Sequence, residues 1–116
     1  MTLLEKKPRL VYDQVGRAYG VLANARTISS KEALNLLSMV RMGVDMEFFP
    51  AATRGVVDEM IIISQPAHIQ KAAERKLTAE ERDVFRADLI RERLKDMAKP
   101  RIEDTWPPNR GQTEAA

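Results

Sequence analysis

The sequence predicts an all-α protein, a small bundle of about four to five helices with a flexible C-terminal tail. Three observations carry this. Apolar residues make up 44% of the 116 positions while aromatics make up only 5%, so the core must be aliphatic, which suits helices better than a β-sandwich. The apolar residues recur at spacings of three and four, the period of a helix face. Two of the periodic stretches open with Ser or Thr followed three residues later by Glu, the signature of a capped helix start.

The first helix is expected over about Leu10 to Arg26, where Val11, Val15, Ala18, Tyr19, Leu22 and Ala25 form one stripe. Pro8 is expected to start or bend it. Gly16 and Gly20 either weaken it or admit a neighbouring backbone. The second, "ISSKEALNLLSMVRMGVD", has Ser29 as N-cap, Glu32 completing a capping box, and Ile28 placed to staple onto Ala33. Ala33, Leu36, Leu37, Val40 and Val44 make its apolar face, and Gly43 with the "EFFP" run marks its end. A third helix, Thr53 to Ser64 with Thr53 as cap, is apolar nearly all round and is expected to be central. Its three consecutive isoleucines would also suit a strand, but no second strand-like segment exists to pair with it.

Gln65-Pro66 breaks that helix, and "AHIQKAAERK" gives a short fourth one. Thr78 and Glu81 form a second capping box. The helix they open is expected to run to about Lys99, with Val84, Ala87, Ile90, Leu94 and Met97 inward. From Pro100 onward, "PRIEDTWPPNRGQTEAA" reads as a flexible tail in which nothing requires Trp106 to dock. The expected division is a helical domain at 1–99 and a tail at 100–116.

Lys plus Arg number 19 and Asp plus Glu 17, so the net charge is only +2, and acids interleave the bases almost everywhere. That argues against a general nucleic-acid binder and makes any anion recognition local. The absence of cysteine removes disulfides, thiolate metal sites and cysteine nucleophiles. "MTLLEKKPRL" holds no stretch apolar enough for a signal peptide, and "MIIIS" is too short to span a bilayer. The reading is a cytoplasmic, soluble chain with no membrane partner.

No pattern calls for a metal or a cofactor. His68 stands alone, without an acid or cysteine at ligand spacing, and reads as a surface residue. Ser29 is explained by its cap, and Ser30 has no base nearby in sequence. The six methionines, Met39, Met42, Met46 and Met60 among them, suit core packing first, and a partner groove or dimer interface second. Arg26 and Arg41 lie near helix ends, where a cation favours the dipole, and Asn24 and Arg26 are secondary candidates for closing a pocket.

The pocket in question is built on Arg82, Asp83 and Arg86. Arg82 and Arg86 are four apart and project from one helix face, although like charges at that spacing repel. Each carries a planar fork of donors that matches phosphate oxygens. Asp83 points about 100° around the axis. It would repel a phosphate but accept hydrogen bonds from a cation attached to one. A ligand joining a phosphate to a guanidinium, such as phosphoarginine, satisfies all three. The alternative is a set of exposed ion pairs among Glu81, Arg82, Asp83 and Arg86, with Arg91, Glu92 and Arg93 doing the same, each worth about 0.3–0.5 kcal/mol.

The stretches "GRAYGVLANARTISSKEALNLLSMVRMGVDM" and "SQPAHIQKAAERKLTAEERDVFRADLIRERL" resemble the C-terminal domain of bacterial protein-arginine kinase, the McsB type, over about Val11 to Leu94. The family's R-D-x-x-R-A motif stands here as Arg82-Asp83-Val84-Phe85-Arg86-Ala87. The resemblance implies a pocket for phosphoarginine on proteins, apart from the catalytic centre, with the arginines on the phosphate and the acid on the guanidinium side. It also implies a helical, homodimeric domain and a cytoplasmic role in marking proteins for Clp chaperone-protease components. The family's catalytic phosphagen-kinase domain has no room in these residues, so this chain is expected not to be an enzyme, although a parent protein is a candidate kinase. "MEFFP" departs from the family's "DLG" run after the second helix. The rival readings are an oligomerisation or adaptor module without a ligand, and a fragment of an ATP-dependent protein-arginine kinase.

Overall fold

The computed structural model describes residues 3–100, with side chains from Leu10 onward. The tail expected at 100–116, Trp106 included, lies outside the described residues apart from Pro100. Five helices follow one another, α1 (Leu3–Asn24), α2 (Ser30–Asp45), α3 (Thr53–Ile63), α4 (Pro66–Ala73) and α5 (Ala79–Leu94), with no strand among the described residues. Helices α1 and α2 pack along each other as a hairpin, α3 lies against α2, and α5 closes the bundle against α1, α3 and α4. The core is aliphatic at its centre, with Val15, Leu22, Leu37, Val40, Val57 and Ile90 fully buried. Burying one such side chain is worth about 1.5–3 kcal/mol.

Local signals set most boundaries. The Ser29 hydroxyl accepts the Glu32 backbone N–H at 3.2 Å, and Ile28 and Ala33 are both buried beside it. No return bond from the Glu32 side chain accompanies it among the described residues, so this capping box is half made. At Thr78 both halves are present: the Glu81 N–H donates to the Thr78 hydroxyl at 3.2 Å, and the Thr78 N–H donates to the Glu81 carboxylate at 2.9 Å. Pro66 occupies the first turn of α4, where its missing N–H costs nothing.

Several expectations are corrected. Helix α1 begins at Leu3, so Pro8 does not start it. Thr53 is not the cap of α3. That position is Ala52, while Thr53 is buried in the first turn and donates to the Pro50 carbonyl at 2.6 Å. Nor is α3 central on every side, because Ile62 is 49% exposed. Helix α5 ends at Leu94, and tighter turns follow, with Asp96 N–H on the Arg93 carbonyl at 3.0 Å and Met97 N–H on the Leu94 carbonyl at 3.1 Å. These turns still carry Met97 into the core.

Gly43 does not mark the end of α2; it lies inside the helix and is buried. A Cβ there would sit 2.7 Å from the Val15 side chain and 3.0 Å from the Phe49 ring, so glycine is what lets α1 and α2 approach. Gly16 and Gly20, by contrast, face open space. Helix α2 stops two residues later in a Schellman motif. The Phe48 N–H bonds the Gly43 carbonyl at 2.8 Å and the Glu47 N–H bonds the Val44 carbonyl at 3.0 Å, with Glu47 left-handed at φ 65. That turn drives Phe48 and Phe49 inward, Phe48 edge-on to Tyr12 at 4.9 Å and Phe49 stacked on Tyr19 at 6.0 Å. The path of the "MEFFP" segment is thereby fixed as an aromatic plug across the hairpin's open end.

Two glycine substitutions should move in opposite directions. Gly43→Ala should destabilise by about 1–3 kcal/mol through overpacking. Gly16→Ala should stabilise by up to about 1 kcal/mol through helix propensity alone. Urea denaturation of the two variants checks this, and equal shifts would contradict the close approach at Gly43.

Candidate functional site

The N-terminal half of α5 holds all three candidate residues, and its start is rigid. Beyond the Thr78–Glu81 box, the Gln70 side chain of α4 clamps Leu77 on both sides, donating to its carbonyl at 3.1 Å and accepting its N–H at 2.9 Å. The Glu81 carboxyl lies below the usual carboxylate range because the Thr78 backbone N–H, then the Thr78 hydroxyl, then Arg75 favour its charged form. Glu81 is therefore a cap residue and takes no part in the site.

Arg82 and Asp83 are partly exposed, whereas Arg86 is 2% exposed. The Arg86 Nε donates to the Ser64 carbonyl at 2.7 Å, and its Nη1 donates to the Ile28 carbonyl at 2.6 Å and to Asp83 Oδ1 at 2.8 Å. One guanidinium thus joins α5 to the end of α3 and to the α1–α2 loop. The backbone completes the seam, with the Ile28 N–H on the Asp83 carbonyl at 3.2 Å. Arg91 adds a second stitch by donating to the Ala25 carbonyl of the same loop. Nη2 of Arg86 makes no hydrogen bond among the described residues.

Arg82 is differently placed. Its one side-chain bond among the described residues runs from Nη1 to the Leu77 carbonyl at 3.3 Å, which is long for an N–H···O bond. The expectation of two open forks on one face is therefore corrected: Arg82 has free donors, while most of the Arg86 fork is turned to its own chain. The rival expectation of exposed ion pairs is corrected as well. The Arg86–Asp83 pair has one member buried and the other 38% exposed, so it is no surface salt bridge. Glu81 pairs with Arg75 at 3.6 Å. Arg91 takes Asp88, and Arg93 takes Glu59 of α3, so neither arginine uses Glu92 as its partner. The hydrogen bond from Arg93 to Glu59 raises its pKa further above the ordinary arginine value.

Val84 was expected to face inward and is 43% exposed. The inward row is instead Arg86, Ala87, Ile90 and Leu94. Arg86 stands four residues before Ile90 and eight before Leu94, and that i, i+4 row is the signal that its side chain is buried. Its acceptors, the carbonyls of Ile28 and Ser64, are backbone atoms that any residue carries, so no sequence signal marks them.

The secondary candidates settle elsewhere. The Asn24 amide donates to the Gly20 carbonyl at 2.7 Å and caps the end of α1, and Arg26 is exposed beyond it. Arg41 is not a helix-end cation but bridges α2 to α3, donating to Asp58 at 2.6 Å. His68 is exposed on α4, as expected. Among the described residues no group of acidic, His or Cys side chains is placed to hold a metal ion, and no helix is long and apolar enough to cross a membrane.

Arg86→Met should destabilise the domain strongly. Each buried acceptor left without a donor costs about 1–3 kcal/mol, and two carbonyls lose theirs. Arg86→Lys should recover only part, because one ammonium cannot reproduce a planar fork. Thermal unfolding of both variants measures this. At the cap, Thr78→Ala should raise the Glu81 pKa only part of the way toward its ordinary value in a carboxyl NMR titration, because the backbone N–H of residue 78, the larger cause, remains. Because the folded pKa is lowered, the Glu81 contribution is present above its unfolded pKa and is lost as pH falls through the folded one.

The protein-arginine kinase McsB C-terminal domain is the family model that matches, over residues 8–105. The chain is 46% identical over 93 residues to a protein-arginine kinase of Syntrophomonas wolfei, covering 80% of this chain and 26% of that protein. It is 47% identical over 91 residues to the protein-arginine kinase of Geobacillus thermodenitrificans, covering 78% and 25%. Against the same-named protein of Geobacillus sp. WCH70 the identity is 51% over 83 residues, covering 72% and 23%. The chain thus spans about a quarter of the length of the curated relatives it matches, and what it matches is their C-terminal domain rather than a catalytic one. With the arginine motif on a capped helix and the match running through nearly all of the bundle, this chain belongs to the protein-arginine kinase C-terminal domain family.

Proposed function

We propose that this domain binds phosphorylated arginine on proteins through Arg82, Asp83 and Arg86. The observation that carries the reading is the juxtaposition of a partly exposed guanidinium with most of its donors free and a neighbouring carboxylate held in place by a buried arginine. The roles divide by exposure. Arg82 supplies the donors for phosphoryl oxygens, helped by the N-terminal end of α5. Asp83 accepts from the guanidinium side of the ligand. Arg86 fixes the Asp83 carboxylate and adds positive potential from behind, with Nη2 as its remaining donor group. A carboxylate already oriented gives up little freedom when it binds, which favours selectivity over raw affinity.

The wider context is part of the same proposal. The domain acts as a homodimer in the cytoplasm, serves Clp-dependent degradation of proteins marked on arginine, and belongs to a parent protein-arginine kinase. Exposed apolar side chains on the α1–α2 hairpin, Leu10, Val21, Met39 and Met42, suit a surface shared between two copies. A second reading, an oligomerisation or adaptor module without a ligand, is favoured by one observation: most of the Arg86 donors are satisfied inside the chain.

Calorimetric titration with phosphoarginine, arginine and phosphoserine separates the two. The binding reading expects phosphoarginine to bind most tightly. Arg82→Ala should weaken it by about 1.5–3 kcal/mol, the worth of hydrogen bonds to a charged group. Asp83→Asn should leave phosphate affinity and erase the preference for a guanidinium. No heat with any ligand, together with a concentration-dependent dimer in light scattering, leaves only the module.

A further inference from the structure

Five residues, 25–29, join α1 to α2, and Ile28 is the one buried side chain among them. Three hydrogen bonds among the described residues tie this loop to α5. The Ile28 N–H donates to the Asp83 carbonyl at 3.2 Å, Arg86 Nη1 donates to the Ile28 carbonyl at 2.6 Å, and Arg91 donates to the Ala25 carbonyl. Two of the three meet at Asp83, because the same Nη1 also donates to Asp83 Oδ1 at 2.8 Å. Asp83 therefore holds Ile28 directly by its backbone, and through Arg86 by its carboxylate.

That carboxylate has capacity left. An ionised carboxylate offers about four lone-pair sites. Arg86 uses Oδ1, Oδ2 accepts no hydrogen bond among the described residues, and the side chain is 38% exposed. A guanidinium arriving from solvent can take Oδ2 without displacing Arg86. A short loop held by a few bonds also opens locally, at less cost than global unfolding. When Ile28 leaves, Nη1 and the Asp83 carbonyl each lose a partner, and the carboxylate loses its fixed orientation. A ligand that uses the oriented carboxylate binds the closed loop better than the open one, and shifts the population by that difference in affinity.

We propose that the α1–α2 loop is coupled to the phosphoarginine site, so that a guanidinium bound on Asp83 closes residues 25–29 onto α5 through Arg86. The coupling rests on the phosphoarginine reading. It makes the joint between the first two helices, rather than the motif helix alone, the part of the domain that registers an occupied site. A phosphoryl group on Arg82 alone has no such route, since the one side-chain bond of Arg82 among the described residues goes to the Leu77 carbonyl.

Amide hydrogen exchange at Ile28, followed by NMR with calorimetry alongside, tests this. An opening that excludes the ligand slows by about 1 + [L]/Kd, so phosphoarginine at one hundred times its Kd should slow Ile28 exchange by about tenfold or more. Glu47, whose N–H is bonded in the exposed turn at the other end of the hairpin, should not change, because its opening leaves Asp83 in place. Without ligand, Asp83→Asn should speed Ile28 exchange severalfold, since a neutral acceptor holds Arg86 less firmly. With phosphoarginine bound, the same variant should show no added protection. Heat of binding with unchanged Ile28 exchange would overturn the coupling and leave the binding reading intact. Equal protection by phosphoserine, or in Asp83→Asn, would also overturn it, because the signal would not pass through the carboxylate. No heat with phosphoarginine removes the binding reading and the coupling with it.

Discussion

A single buried cation organises this domain. The Arg86 guanidinium sits in an aliphatic bundle where an unpaired charge would be prohibitively costly to desolvate. It is tolerated because three acceptors from three parts of the chain converge on it: a carboxylate one turn back, the carbonyl that ends α3, and a carbonyl in the α1–α2 loop. Such a buried set adds little net stability as a whole, yet removing the arginine alone strands its partners. Its effect is to tie α5 to the end of α3 and to the α1–α2 loop in this arrangement.

The α1–α2 hairpin is therefore held at both ends by different physics. At the loop end, Arg86 and Arg91 reach across to backbone carbonyls, and the Ile28 N–H answers with a bond to Asp83. At the open end, Phe48 and Phe49 plug onto Tyr12 and Tyr19, and Gly43 admits the Val15 side chain. The polar end carries Arg82, Asp83 and Arg86, and the apolar end carries the 46–50 segment.

Membership of the family rests on the breadth of the match, not on the three motif residues alone. The bonding of Arg86 nonetheless changes how the motif is understood. Two arginines four apart look equivalent in a written motif, yet here one is a strut and the other an open donor. The acid between them is bonded by Arg86 and stays 38% exposed. Burial separates these roles, and spacing does not.

Much of the fold was legible. The caps at Ser29 and Thr78, the break at Gln65-Pro66 and the stripes through Leu22, Leu37 and Ile90 are local signals, since capping bonds and helix periodicity involve residues a few positions apart. The sequence by itself determined a bundle of about four to five helices, an aliphatic core and an arginine motif on a capped helix. Only the tertiary structure decided that Gly43 is a contact point, that Val84 turns outward, and which carbonyls Arg86 meets. Each of those depends on atoms far along the chain, the Val15 methyls or the carbonyls of Ile28 and Ser64, and a backbone carbonyl leaves no mark in the sequence that carries it.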